Sequence, residues 1–199
     1  HNNILVVGGN KIGRFNSDGS LDTDFGSNGY SNLASSPSTW GSMVPTDVVI
    51  QPDGRILVSY YVLGNIPSYN WAKNVAYARS YFHIVRFTAN GQIELEKSHD
   101  VGDYSTTSSS YYGDTAAGLA VQEDGDILMM GGFQDRSNVY GFGTLRLNEL
   151  LERDDNNGGA TAEFNIDLSN SARVNSSLVL PDGKVLLVGT DNGDVLVTR

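Results

Sequence analysis

At 199 residues, with 39% hydrophobic content, a formal charge of −10 and no cysteine, the chain is long enough for one sizeable core or several small stacked ones. Its acidity repels phosphate backbones and anionic bilayers, and no apolar stretch approaches the ~20 residues needed to cross a bilayer, so neither nucleic acid nor membrane insertion is expected. Disulfide and thiolate chemistry are unavailable, and Asp outnumbers Glu 17 to 6 alongside 23 glycines, a composition of tight β-turns rather than helices.

Taken in chain order, the elements read as short strands. Ile4–Val7 is a strand-like run, followed by Ile12–Phe15, which carries Arg14. Asp47–Gln51 and Ile56–Tyr61 flank a Pro52-Asp53-Gly54 turn. Phe82–Phe87, which carries Arg86, and Gln92–Glu96 flank Asn90-Gly91, and Asn-Gly between such runs is a strong hairpin signal. Alternation along Gln92–Glu96 puts Ile93 and Leu95 on one face and Gln92, Glu94 and Glu96 on the other, so Glu94 and Glu96 are expected to share a solvated face. The runs Ile4–Val7, Ile56–Val58, Ile127–Met130 and Val185–Val188 are continuously apolar, which predicts strands covered on both sides.

These elements repeat. Val48–Leu57, Leu119–Leu128 and Ser177–Leu186 are three copies of one hairpin, with turn glycines at Gly54, Gly125 and Gly183, 71 and 58 residues apart. Interleaved with them are apolar runs bearing Arg14, Arg86, Arg146 and Arg199, spaced by 72, 60 and 53. Such a period indicates stacked supersecondary units. The fold class is therefore all-β: tandem four-stranded antiparallel blades forming a β-propeller or part of one. The single array 1–199 divides into the end of a preceding blade (1–10), repeat one (11–61), an aromatic insertion (62–81), repeat two (82–133), repeat three (134–190) and the start of a further blade (191–199). With its opening and closing runs lacking partners, the chain reads as a piece of a longer protein.

Arg14–Gly29 (RFNSDGSLDTDFGSNG) followed by Asp47–Val58 (DVVIQPDGRILV) resembles the delta-60 repeat, found in tandem in large, mostly bacterial, often exported or surface-attached proteins. The resemblance implies a propeller-like architecture and an extracellular or cell-surface location, and carries no catalytic activity with it. In the second copy Glu94–His99 (ELEKSH) replaces LDTDFG, and in the third Asn148–Gly159 (NELLERDDNNGG) lacks the Asp-Gly turn, which leaves the shape of those hairpins unspecified.

No catalytic residues are expected. Nucleophile-elbow, phosphate-loop and zinc-ligand patterns are missing, and His1, His83 and His99 are far apart in sequence. The repeated arginines read as structural bridges to turn carboxylates or backbone carbonyls around Asp18 or Asp22. Asp18, Asp22 and Asp24 form an oxygen-rich turn that raises calcium as a ligand, although Asp and Gly build such turns without an ion. A recognition surface is expected on the longer connections, where rigid repeat scaffolds carry binding. They hold Trp40, Tyr69, Trp71, Tyr77, Tyr104, Tyr111 and Tyr112, suited to stacking on a glycan or a protein partner. The expected function is a non-catalytic scaffold or recognition module of an exported protein, packed against neighbouring blades of the same or another chain. The alternatives are a carbohydrate-active propeller enzyme of hydrolase or lyase type, and a passive spacer.

Overall fold

The Asp-Gly and Asn-Gly signals build hairpins of one kind. In a computed structural model describing residues 3–34, 42–63, 68–70, 75–77, 79–80, 82–99, 112–113, 115–122, 124–134, 140–153, 163–168, 173–180 and 184–198, the Gln51 amide donates to the Arg55 carbonyl and the Gly54 amide to the Gln51 carbonyl. The same pair of bonds closes Gln122–Asp126, Asn16–Ser20, Thr88–Gln92 and Asn148–Glu152. Each of these loops places a left-handed residue third among its three loop positions: Gly54, Gly125, Gly19, Gly91 and, in the last, Leu151 at φ 56°. The turn missing its Asp-Gly therefore adopts the shape of the others.

The strands are β1 (Ile4–Gly8), β2 (Lys11–Phe15), β3 (Tyr30–Asn32), β4 (Ser42–Ile50), β5 (Ile56–Leu63), β6 (Ser68–Asn70), β7 (Val75–Tyr77), β8 (Arg79–Ser80), β9 (Phe82–Phe87), β10 (Ile93–His99), β11 (Tyr112–Gly113), β12 (Thr115–Val121), β13 (Ile127–Gln134), β14 (Tyr140–Leu147), β15 (Glu163–Leu168), β16 (Arg173–Val179), β17 (Val185–Asp191) and β18 (Asp194–Thr198). They form four successive antiparallel blades: β1-β2-β3, β4-β5-β9-β10, β12-β13-β14-β15 and β16-β17-β18. The all-β blade architecture stands as read from the sequence. Strand β5 runs two residues into the stretch assigned to the aromatic insertion, and β6 and β7 pair within it.

In each blade the strands take places a to d in chain order, with β1–β3 filling b to d and β16–β18 filling a to c, and strand a (β4, β12 and β16) carries a bulge at one equivalent place. Register slips between Pro45 and Asp47 in β4, between Ala116 and Gly118 in β12, and between Val174 and Ser176 in β16. The extra residues Thr46, Ala117 and Asn175 keep the 71- and 58-residue spacing of the turn glycines. A bulge bends and twists a strand at a sheet edge, and it tolerates Pro45, which has no amide to give a ladder. These strands adjoin one another along the array. The Leu119 amide of β12 donates to Asp47 Oδ2 of β4 at 2.8 Å.

Alternate residues of the second and third blades face their two neighbours. Leu5, Val7, Ile12, Phe25 and Leu33 of the first blade pack against Ile56, Val58, Tyr60, Val85 and Phe87 of the second. Leu57, Phe82 and Ile84 of the second pack against Ile127, Met129, Leu145, Leu147 and Leu151 of the third. Leu128, Met130 and Phe142 of the third meet Leu187, Val185 and Leu196 of the fourth. Two sequence expectations change here. Strand β1 is not covered on both sides: Leu5 and Val7 are packed, whereas Ile4 and Val6 are 50% and 52% exposed, because no blade lies against their face. In β10 a register slip between Ile93 and Leu95 turns Ile93 toward the first blade and Leu95 toward the third. Glu94 and Glu96 are thereby split between opposite faces rather than forming one solvated row. The slip adds a residue, and each added residue inverts a strand's parity.

Candidate functional site

Arg14, Arg86 and Arg146 lie on strand c of the first three blades, and Arg14 and Arg86 reach the blade that follows, whereas Arg199 lies outside the described residues. Arg14 donates from Nε to Asp22 Oδ2 (2.7 Å) and from Nη1 to the Ala89 carbonyl (2.5 Å), with its guanidinium 4.8 Å from the Phe25 ring centroid. Arg86 donates from Nε to Glu94 Oε2 (3.2 Å) and from Nη1 to the Glu149 carbonyl (2.5 Å). Ala89 and Glu149 hold the same place in the c–d turns of the second and third blades. Arg14 and Arg86 thus each tie their own blade's carboxylate to the next blade's main chain, a charge-assisted pairing. Arg146 bridges Asp124 and Asp126 of its own blade's a–b turn.

The Asp18, Asp22 and Asp24 turn is knitted by the same means. Asp18 Oδ1 accepts the Ser20 amide and hydroxyl, which hold its carboxyl below the usual range. Asp22 Oδ2 accepts Arg14 and Asn3, and its Oδ1 the Asp24 amide. Among the described residues no three His, Asp or Glu side chains converge as a metal centre.

Of the aromatic candidates, Trp40, Trp71, Tyr104 and Tyr111 lie outside the described residues. Tyr69 and Tyr77 lie on the small β6–β7 hairpin, opposite Ala76 and Ser68. Tyr112 pairs in parallel with Arg79, and Gly113 with Ser80. The backbone of the b–c insertion therefore meets that of the connection between the second and third blades, although the two are over thirty residues apart in sequence.

A cleft of about 510 Å³ lies elsewhere, between β3 of the first blade and the turn leading into β10 of the second. Sequence reasoning missed it because Lys11, Tyr30, Asn32 and Gln92 come from segments unremarkable one by one. The signal available was Gly13 in a strand opposite Tyr30. A Cβ at Gly13 would sit 2.9 Å from the Tyr30 ring, so the missing side chain lets the ring lie flat across the strand. Lys11 Nζ hovers 5.9 Å from the ring centroid. Ser27, Ser31 and Asn32 add neutral polar groups, and Ser31 Oγ donates to the Gly91 carbonyl to close the floor. A half-open tyrosine, hydroxyls, amides and one cation can hold a polyhydroxylated ring by stacking and hydrogen bonding.

One buried row has the look of chemistry. Tyr60 Oη donates to Glu96 Oε1 at 3.1 Å, and its ring stacks on His83 at 4.8 Å and 9°. Burial, reinforced by the Glu96 charge, pushes the Tyr60 hydroxyl well above its ordinary value. Burial also pulls His83 down to about 4, against the opposing pull of Glu96. Tyr60 is 1% exposed and sealed between the first two blades. Its proton is therefore held.

A family model described as a domain of unknown function (DUF5122) beta-propeller matches residues 3–25. No curated protein matches the chain. Among solved structures, the chain is similar to Hadza microbial sialidase Hz136, with a TM-score of 0.55 and 14% identity over 95% of this chain and 38% of that one. A protein of unknown function from Bacteroides caccae gives a TM-score of 0.49 and 12% identity over 99% of this chain and 56% of that one. The endo-arabinase from Bacteroides thetaiotaomicron gives 0.48 and 14% over 94% and 64%. This chain thus spans less than two thirds of the length of each of these structures.

Proposed function

We propose that the chain is a non-catalytic, propeller-type repeat module of a larger exported or surface protein, and that it recognises a glycan on its aromatic connections and on the Lys11–Tyr30 cleft. The observation that carries this reading is the employment of carboxylates among the described residues. Glycoside hydrolysis needs two acids facing one substrate, or in sialidases a tyrosine nucleophile. Here Asp22, Glu94 and Asp126 are bound to arginines, and Glu96 to a sealed tyrosine. Asp22 and Glu94 anchor arginines that reach the next blade, and Asp126 and Glu96 are engaged within their own blades. The cleft itself is lined by neutral polar groups, one cation and one aromatic ring, a binding set without an acid–base pair.

The test is a glycan array probed with the chain, a Tyr30→Ala/Lys11→Ala variant and a Trp40→Ala/Trp71→Ala variant, each checked for native circular dichroism. Saturable binding without turnover, reduced in either variant, supports recognition. Turnover of any polysaccharide assigns the carbohydrate-active alternative, and a blank array moves the module to a protein partner or a passive spacer.

A further inference from the structure

The cleft beside β3 occupies a place that the next interface spans with an ion pair. Ser31 stands opposite Ile12 of β2 as Lys97 stands opposite Ile84 of β9, and each isoleucine lies two residues ahead of its strand's arginine. Gln92 closes the Thr88–Gln92 turn as Glu152 closes Asn148–Glu152. Between the second and third blades, Lys97 Nζ meets Glu152 Oε1 at 3.2 Å. Between the first and second, the corresponding residues are Ser31 and Gln92, neither of them charged. Ser31 Oγ turns to the Gly91 carbonyl at 2.6 Å, and both residues line the cleft of about 510 Å³. Its two walls, β3 and the turn into β10, belong to adjoining blades of this chain.

A cation is nevertheless supplied, from a different strand. Lys11 faces Asn32 across the β2–β3 ladder and sets its Nζ 5.9 Å from the Tyr30 ring centroid, on the lining of the cleft. Arg14, Arg55, Arg86, Lys97 and Arg146 each meet a carboxylate within 3.2 Å. Lys11 meets none among the described residues, and no Asp or Glu lines the cleft. In a chain of formal charge −10, an ammonium kept apart from acids runs against the composition. The cleft holds a cation where the next interface holds a pair, and what it lacks is the carboxylate.

We propose that the cleft binds the carboxylate of an acidic sugar within a glycan. Lys11 takes the anion, the Gln92 and Asn32 amides and the Ser27 hydroxyl take neighbouring oxygens, and Tyr30 takes the face of the ring. The inference rests on the glycan-recognition reading and names the class of glycan. A lysine serves such an anion as a compact point charge on a flexible stem, and an open aromatic ring beside it accepts the apolar face of a pyranose. The ligand's carboxylate then plays toward Lys11 the part that Glu152 plays toward Lys97.

The test is titration calorimetry of the 199-residue chain with an oligogalacturonide and with sialyllactose, each beside a neutral counterpart, a galacto-oligosaccharide and lactose. An acidic probe is expected to bind about fivefold tighter than its counterpart, as a half-exposed ion pair supports, and the margin should shrink as salt is raised. Which acidic probe shows the margin identifies the source of the carboxylate. Lys11→Gln is expected to remove the margin and leave neutral binding in place, while Lys11→Arg retains it. Gln92→Glu rebuilds the acid of the next interface, and should pair with Lys11 and drop the acidic probe below the neutral one. Lys11 and Gln92 are both exposed, and native circular dichroism confirms each variant's fold. Equal affinity for acidic and neutral probes, or a margin that survives Lys11→Gln, overturns the proposal while glycan recognition stands. No binding of either acidic probe overturns it as well, and the wider array then judges glycan recognition by itself.

Discussion

The Phe25 ring fills the space that a side chain on Gly91 would need: a Cβ there would lie 2.8 Å from Phe25 Cζ. One interface later the arrangement reverses. Leu151 occupies the turn position of Gly91, keeps its left-handed φ of 56°, and buries its own side chain completely between the second and third blades. The second blade has no counterpart of Phe25 to offer, since ELEKSH stands where the first has LDTDFG. A left-handed leucine is strained by about 1–2 kcal/mol, and burying it returns about 1.5–3 kcal/mol, so the side chain holds the turn in place.

Phe25→Ala is expected to cost about 3–5 kcal/mol, and Gly91→Ala about 2 kcal/mol or more from strain and collision together. The double variant should be less unstable than the sum by about 0.5–3 kcal/mol, because removing the ring makes room for the methyl. Urea denaturation of the four proteins measures the cycle, and strict additivity would show that the two do not share the space.

Arg86→Met removes the tie between the second and third blades and leaves Glu94 without its cation. A loss of about 2–4 kcal/mol is expected, with Arg86→Lys recovering little because an ammonium does not reproduce the two-armed geometry. A stable Arg86→Met protein with altered glycan binding would assign the arginine to a ligand instead.

Asp47→Ala is expected to cost about 1–3 kcal/mol, since Oδ2 satisfies the Leu119 amide of the adjoining blade and that donor would be left buried. Amide hydrogen exchange at Leu119 reads this directly: protection there should fall more than at Leu128, in the middle of the same blade.

Acid should loosen the second blade. His83 titrates near 4 when folded against 6.5 in a model peptide, so the unfolded chain binds the extra proton between those values. The stabilisation is complete above pH 6.5 and is lost as pH falls toward 4, by about 2–3 kcal/mol. His99, also lowered by burial while its Nε2 meets the Leu151 carbonyl, adds to the loss in the same direction. His83→Phe keeps the stack on Tyr60 and should flatten the dependence of the urea midpoint on pH, while a midpoint equally steep in that variant would place the titration elsewhere.

The blade strands and their hairpins were legible because local chemistry specifies them. Apolar runs bounded by Asp-Gly or Asn-Gly name both a strand and its turn, and Phe82–Phe87 came out with the boundaries read from sequence. The bulge in β10 was not legible, since no residue in Gln92–Glu96 marks an extra unit, and a single slip was enough to reassign the faces of Glu94 and Glu96. Leu151 in a glycine's place was hidden for a related reason: what secures it is a cavity formed by the neighbouring blade. The Lys11–Tyr30 cleft is assembled from the first blade's strands and the turn entering β10, sixty residues away, and its parts only acquire meaning once they adjoin.

The arginine ties end on main-chain carbonyls, at Ala89 in one blade and Glu149 in the next. Every residue type carries that acceptor, so a turn can change its letters freely and still receive the bond, provided its backbone keeps its path. The donor side enjoys no such latitude, since it needs a guanidinium reaching from strand c. Divergence among repeats is thereby channelled into the receiving turns, and a search for repeats in related chains would do better to follow the arginine than the loop it grips.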